Sequence, residues 1–496
     1  MSIPILEGFA ALGSDPWIFL YIAFGVAAGI FVGALPGLTA TTGCALLLPF
    51  TFGHDPLQGL LMLVGVFCGG IYGGSISAIL LRTPGTPAAA ATMLDGFPMS
   101  ERGEAGRAIG LATVASFVGG TIGAVVMTLL APWIARVGLA FGPPEFFALT
   151  MFGLAMIIAV SGNNLRRGAL AAALGLLVTT IGFDPISAQA RFTFDTRELL
   201  GGIELIPVLI GLFGVAQVLA RAEKLLQFSD SDTASGLLPR LSDLAKTRWT
   251  MCKSALIGVF IGSVPGAGCD IAAYAAYSEA KRSSQHPGKF GTGIPEGIVA
   301  PEAANNAGTA GALIPMLSLG VPGDAVTAVL LGALTIHGFE PSPVFFVNNI
   351  ELINVLFAGV IATQLVLLIL GLLLARVFAR LIRTDQRIML PAILFLCMMG
   401  AYSVRYSLFD MWLTLAIGVI GFLLEKIRIP LSPLLLGIVL GTLAEQNLRR
   451  SLIMSHDNPM IFLQRPISAL LIAGAIIAIL AMLRANRRAQ NQTAEQ

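Results

Sequence analysis

The sequence predicts an all-α polytopic membrane protein that consists of two inverted-topology repeats with broken or re-entrant helices. Composition is the first reason, because 56% of the 496 residues are hydrophobic and only 12% are charged, about half the usual charged share. The number of apolar segments is the second reason. About 12–14 of them recur along the chain, and one membrane span requires roughly 20 residues. The third reason is that two Pro-Gly motifs return in the same order in the second half.

Net charge and residue types exclude several other classes of protein. A net charge of +2 leaves no basic surplus for nucleic acid, and the apolar content excludes a soluble globular enzyme or a disordered chain. The five cysteines and four histidines lack CxxC or HExxH spacing. Neither a disulfide framework, a metal site nor a bound cofactor is therefore predicted.

Two Pro-Gly pairs interrupt apolar segments of the first half. FVGALPG at 31–37 ends in Pro36-Gly37, and GGSISAILLRTPG at 73–85 ends in Pro84-Gly85. Proline removes a backbone donor, so a helix breaks at membrane depth only where the freed polar groups face protein, water or a ligand. A single Pro-Gly pair also fits a plain kink with close glycine packing.

The second half repeats both motifs. FIGSVPG at 260–266 follows its counterpart by 229 residues, and GALIPMLSLGVPG at 311–323 follows by 238. Two motifs in one order at nearly one offset indicate an internal duplication. We therefore divide the chain into four parts: a first half at 1–220, a cytoplasmic polar loop at 221–253, a second half at 254–483 and a cytoplasmic tail at 484–496.

Four helix breaks in two related halves are typical of transporters. Half-helix amino termini expose N–H donors that suit a carboxylate, whereas unwound carbonyl groups and hydroxyls suit a cation. In membrane helices Ser and Thr also join neighbouring helices, which is the alternative for each hydroxyl. The predicted solute-binding residues are Pro36, Gly37, Thr39, Thr41, Ser75, Ser77, Arg82, Thr83, Gly85, Gly266, Asn305, Asn306 and Gly323.

Charged residues beside the breaks are the candidates for solute recognition and ion coupling. Burying a charged residue at membrane depth costs several kcal/mol unless it faces a cavity. Arg82 precedes the second break and is predicted to steer a carboxylate with its planar fork. Asp270, Glu302 and Asp324 are predicted to couple transport to a cation or proton. An interfacial charge at a loop edge is the alternative for Arg82, Asp270 and Asp324.

Three long blocks resemble the large membrane subunit of the tripartite tricarboxylate transporters. They are GALPGLTATTG at 33–43, the segment 72–110 with YGGSISAILLRTPGTP, and the segment 295–333 with PEGIVAPEAANN. The resemblance spans nearly the whole chain. It implies a multi-pass secondary carrier of the bacterial inner membrane that imports citrate or another carboxylate with Na⁺ or H⁺. It also implies two partners, a small four-helix membrane subunit and a periplasmic solute-binding protein.

Two other classes remain as alternatives. An anion channel also tolerates broken helices but needs no cation coupling. A membrane-embedded enzyme is less favoured, because the chain has no DDxxD or HExxH motif and GAGCD at 266–270 does not fit GxGD.

Basic residues predict the orientation, because cytoplasmic loops carry the excess of Lys and Arg. The basic segments 221–253 and 376–387 and the tail are expected in the cytoplasm, and Ser2 outside, since no base precedes Arg82. Single cysteines at Ser2 and in the 221–253 loop should therefore react with an impermeant maleimide from opposite sides. Labelling of both positions from one side would contradict the inverted relation of the halves.

Overall fold

The computed structural model describes residues 4–35, 37–160, 165–184, 186–223, 239–381 and 386–494. Pro36, Ser2 and residues 224–238 of the predicted polar loop lie outside the described residues. The role of Pro36 in solute binding therefore stays a prediction.

The described chain is almost entirely helical, as predicted. Two short antiparallel strands, β1 (Gly182–Phe183) and β2 (Ala190–Arg191), form its only sheet within the described ranges. The helices in chain order are α1 (Pro4–Ser14), α2 (Pro16–Ala34), α3 (Ala40–Leu47), α4 (Pro56–Leu81), α5 (Ala89–Met99), α6 (Ala105–Gly138), α7 (Pro143–Val160), α8 (Leu165–Val178), α9 (Leu205–Ile210), α10 (Ala216–Ala222), α11 (Leu241–Gly262), α12 (Gly268–Ser283), α13 (Pro295–Leu319), α14 (Ala325–Ile336), α15 (Pro343–Asn348), α16 (Ile350–Leu381), α17 (Gln386–Arg405), α18 (Leu408–Lys426), α19 (Leu431–Met454), α20 (Ile461–Gln464) and α21 (Pro466–Ala494).

Length and hydropathy identify a multi-pass membrane protein. Among the described residues, nine helical stretches are long and apolar enough to cross a bilayer, and four shorter helices are apolar as well. Large apolar side chains lie on the outer surface, such as Leu373 at 70% and Leu470 at 74% exposure. Such surfaces suit contact with lipid rather than water.

The helices break where the sequence predicts. The first break separates α2 from α3 and the second separates α4 from α5; the third separates α11 from α12 and the fourth separates α13 from α14. Pro84, Pro265 and Pro322 all lie in these non-helical segments. Broken helices are thus confirmed, and α11 begins at Leu241, within the segment assigned from sequence to the polar loop.

Glycine seams hold the helix before each break against its neighbour. A side-chain Cβ at Gly25, Gly29 or Gly33 of α2 would lie only 2.0–2.4 Å from a backbone oxygen of α4. In the second half, a Cβ at Gly258 or Gly262 of α11 would lie 2.2 or 2.5 Å from a backbone oxygen of α13. Small residues allow this close backbone approach in membrane bundles, so both halves use the same packing device.

The two halves also pack into each other. The long helix α6 of the first half runs along α13 of the second half, while α16 of the second half packs against α2 and α4 of the first. Glycine again permits the contact, since a Cβ at Gly119 of α6 would lie 2.1 Å from the Ala303 oxygen of α13. The broken helices are therefore enclosed by protein on several sides.

Asp95 of α5 fixes the loop that leads into α13. Its buried carboxylate accepts hydrogen bonds from the backbone N–H groups of Gly291, Gly293 and Ile294 at 2.8–3.0 Å and from the Tyr277 hydroxyl at 2.9 Å. Charge-assisted bonds of this kind are the stronger class. Asp95 thereby sets the start of α13 relative to the second break.

We expect Gly29→Ala to destabilise the protein, even though alanine is the better helix former by about 1 kcal/mol. Its Cβ would lie 2.4 Å from the Val66 oxygen, so α2 and α4 must separate, at a cost of roughly 1–3 kcal/mol. The melting temperature of the detergent-purified chain measures the effect. The matched control is Gly13→Ala in α1, where no atom lies within 4 Å; equal melting of both variants would contradict the seam.

Candidate functional site

All four helix breaks contribute to one partly open cavity of about 410 Å³. The first break contributes Thr39 to it and the second contributes Thr86. The third contributes Gly266 and the fourth Asp324. Segments far apart in the chain therefore converge on one volume large enough for a small solute.

Five of the predicted site residues line this cavity. They are Thr39, Thr41, Gly266, Asp270 and Asp324. The other described ones are not among its lining residues: Gly37, Ser75, Ser77, Arg82, Thr83, Gly85, Glu302, Asn305, Asn306 and Gly323. Their predicted roles in solute binding or coupling remain predictions.

Three helices begin at the cavity wall. Thr39 caps α3 in a reciprocal pair with Thr42, and α12 starts at Gly268. Asp324 caps α14, where its carboxylate accepts hydrogen bonds from the N–H and the hydroxyl of Thr327, each at 2.8 Å. Helix amino termini carry partial positive charge. The cavity thus has the positive helix ends that the sequence predicts at the breaks.

The glycines at the breaks allow close contact between backbone segments. The Gly266 N–H donates to the Gly323 carbonyl at 2.7 Å, which joins the third and fourth breaks directly. A Cβ at Gly85 would lie 1.9 Å from the Gly33 oxygen. Gly37 and Gly266 have φ values of +84° and +86°, a region that side chains disfavour. Bulk at these glycines would strain the backbone whether or not solute approaches it.

The charge of the cavity wall is negative. Asp270, Asp324 and Glu425 line it, and no lining residue within the described chain is basic. Asp270 is exposed to the cavity, and Glu425 accepts a hydrogen bond from Gln217 Nε2 at 2.8 Å. An anion that enters this volume meets three carboxyl groups, which repel it unless protons or cations neutralise them.

Glu302 lies in a separate, sealed polar cluster, called here the Glu302 cluster. Its carboxylate, which is fully buried, accepts hydrogen bonds from the hydroxyls of Ser75, Thr92 and Ser116 and from the amide of Asn305 at 3.4 Å. Four helices, α4, α5, α6 and α13, supply these groups. No described basic side chain forms an ion pair with Glu302, and a buried carboxylate in this state requires a proton or a cation nearby.

Arg82 lies at the surface. It ends α4 in the left-handed conformation, with φ of +54°, and its guanidinium lies 5.4 Å from the centre of the Phe97 ring. The side chain is exposed. This position suits the attraction of anions from solution better than contact with a solute held in the cavity.

Several cavity residues escaped the sequence analysis. Phe213 and Gln217 come from the helical segment before the polar loop. Glu425 comes from the last turn of α18, and residues 430–433 come from the start of α19 and the residue before it. Two signals were present: Gln217 is an isolated amide in an apolar run, and Pro430 and Pro433 sit between two apolar segments. Neither signal reveals which distant breaks these residues contact.

Membrane-length helices whose interruptions converge on one cavity place this chain among multi-pass membrane proteins of the transport class. It belongs to the tripartite tricarboxylate transporter TctA family, which matches residues 19–436. It is therefore a large membrane subunit of that transporter type, as the sequence resemblance predicts.

Two similar proteins come from Agrobacterium vitis. An uncharacterized 52.8 kDa protein in the TAR-I ttuC' 3' region is 36% identical over 488 residues, which cover 95% of this chain and 94% of that protein. An uncharacterized protein in the TAR-II ttuC' 3' region is 36% identical over 240 residues, or 47% of this chain and 98% of that protein.

Thr86 provides a test of the cavity. Its side chain is 2% exposed, and its hydroxyl has no hydrogen-bond partner among the described residues. Thr86→Val keeps the shape and removes only the hydroxyl, so we expect unchanged stability but a KM for solute uptake raised about two- to tenfold. Thr86→Ser should retain the wild-type KM. The control is Thr128→Val, whose hydroxyl bonds the Val125 carbonyl at an exposed position; a wild-type KM in Thr86→Val would contradict solute contact there.

Proposed function

We propose that this chain is the solute-translocating subunit of a secondary active transporter that imports tricarboxylates or related carboxylates. The transporter works in the bacterial inner membrane by symport with Na⁺ or H⁺. A periplasmic solute-binding protein supplies the solute, and a small four-helix membrane subunit completes the complex. Family membership and the implied tripartite organisation support these partners.

The convergence of the four breaks on one cavity is the observation that carries the proposal. Residues of both halves line this volume, so a relative movement of the halves changes its access. Related halves of opposite topology have two exchanged packings of similar energy, which open a central site to each side in turn. The matched order of helix, break and helix in the two halves supports this mechanism.

The acidic wall supports coupling to a cation. A carboxylate solute is repelled by Asp270, Asp324 and Glu425 unless their charge is neutralised. Na⁺ or protons bound at Asp270 and Asp324 remove this repulsion, so solute and cation bind together. The Glu302 cluster provides a second, sealed carboxylate, which is surrounded by three hydroxyls and the amide of Asn305.

An anion channel is the alternative, and gradient experiments separate it from a carrier. Right-side-out vesicles or proteoliposomes with the chain and both partner subunits are given labelled citrate and an imposed Na⁺ or H⁺ gradient. A symporter accumulates citrate against its own gradient only while the cation gradient lasts. Equilibration of citrate without accumulation, at any cation gradient, would favour the channel.

Charge-neutral variants should separate coupling from solute recognition. Asp270→Asn and Asp324→Asn remove a charge while keeping the shape, and asparagine still caps α14. We expect each to raise the half-saturating cation concentration, or shift the pH dependence, by about five- to a hundredfold. Glu302→Gln should have the same kind of effect. Uptake at varied Na⁺ and pH measures it, with the exposed Asp195→Asn as the control.

Arg82→Lys tests the predicted role of Arg82 in solute recognition. The acidic variants should change the cation or pH dependence, whereas this variant should leave both unchanged. Lysine keeps the charge but loses the planar guanidinium, so a direct contact of Arg82 with the solute predicts a raised KM for citrate and unchanged cation dependence. Attraction of anions from the exposed position, which the structure favours, predicts the wild-type KM. If the acidic variants and Arg82→Lys change only the amount of protein in the membrane, these charges are structural.

A further inference from the structure

Arg221 is a buried guanidinium without an acidic partner among the described residues. Its side chain is 8% exposed, and Nη2 donates one hydrogen bond to the Leu35 carbonyl at 3.2 Å. Nε and Nη1 have no partner within the described chain. A buried, unpaired charge costs several kcal/mol, so a counter-ion beyond the described residues is the simplest reason to keep it.

Arg221 lies one helical turn from the cavity wall. It follows Gln217 by four residues on α10, so both side chains project from one face, and Gln217 lines the cavity. The guanidinium also lies against the first break, because a Cβ at Gly37 would be 2.8 Å from Nη2. Two residues further along that break, Thr39 lines the cavity as well.

The cavity lacks the group that Arg221 would supply. Its wall has three acidic residues and no basic one within the described chain, yet a carboxylate solute is held most strongly by a cationic donor. Arg82 does not fill this role in the described arrangement, since it is exposed and lies over Phe97. Arg221 does not itself line the cavity, but it combines positive charge with two buried donor nitrogens that have no partner among the described residues, beside the first break.

We propose that Arg221 binds a carboxylate group of the solute at the first break, as the substrate-binding cation of the cavity. Nη2 holds the Leu35 carbonyl, while Nε and Nη1 are buried just behind the cavity wall without a partner among the described residues. A small shift of the first break brings these two donors to the solute oxygens. The guanidinium thus ties the backbone of the break to the solute, so binding and the position of the break depend on each other. This inference rests on the proposed function, because it assigns a residue to the same solute site.

Citrate binding to the purified full-length chain, measured by calorimetry in detergent with Na⁺ present, tests the assignment. Arg221→Gln should weaken the Kd about ten- to a hundredfold. Arg221→Lys should weaken it several-fold, because one ammonium cannot serve the Leu35 carbonyl and the solute with separate nitrogens. The control Arg282→Gln, at a side chain 80% exposed, should bind as the wild type does. Trimethyl citrate, which has the same skeleton without carboxylates, should not bind.

The outcomes separate this inference from the proposed function. If the wild type binds neither citrate nor any other carboxylate of a small panel, both are overturned. If the wild type binds and the Arg221 variants bind equally well, only the role of Arg221 is overturned. A purely structural Arg221 would lower the melting temperature of the solute-free protein and leave Kd unchanged. Should Arg221→Gln fail to insert, a wild-type Kd in Arg221→Lys would equally overturn the role of Arg221.

Discussion

This architecture depends on one constraint: backbone N–H and carbonyl groups inside the membrane find no hydrogen-bond partners in the lipid. Hydrocarbon offers nothing to a freed N–H or carbonyl group, so every interrupted helix must be enclosed by protein or face a wet cavity. The bond from Gly266 to Gly323 joins two breaks to each other, and the bond from Gly85 to Gly74 joins the second break to α4. Such bonds require main chains to approach closely, which the glycine seams of α2 and α11 permit. The glycines are therefore needed for the enclosure before any solute binds.

Enclosure also explains why the site forms where it does. Once the four breaks are packed together, the starts of α3, α12 and α14 face the same volume. Their amino termini supply positive potential, and the Asp324 carboxylate interacts favourably with it as the N-cap of α14. The same carboxylate is thus both a structural cap and part of the acidic wall. Any role of Asp324 in ion coupling must therefore be compatible with its hydrogen bonds to the start of α14.

The sequence predicts the breaks and their pairing because both depend on local chemistry. Proline stops a helix wherever it occurs, and the returning motifs mark the related positions without any knowledge of packing. The contribution of Gln217 and Glu425 to the cavity could not be predicted, since it depends on how α10 and the end of α18 lie over breaks distant in sequence. Arg221 shows the same limit: in the sequence it is one basic residue among several near the polar loop, and only its burial distinguishes it. Arg82, adjacent to a break in sequence, lies on the surface.

Asp270 and Glu302 differ in their access to the cavity. Asp270 is open to the cavity, so under the proposed symport a cation or proton would reach it together with the solute. Glu302 is sealed, and its carboxylate is the common acceptor for hydroxyls of α4, α5 and α6. Neutralising that carboxylate weakens three hydrogen bonds at once, because bonds to a charged acceptor are about twice as strong as neutral ones. Under the proposed symport, charge at Glu302 therefore controls how firmly the first half holds α13, whereas charge at Asp270 controls what the cavity accepts.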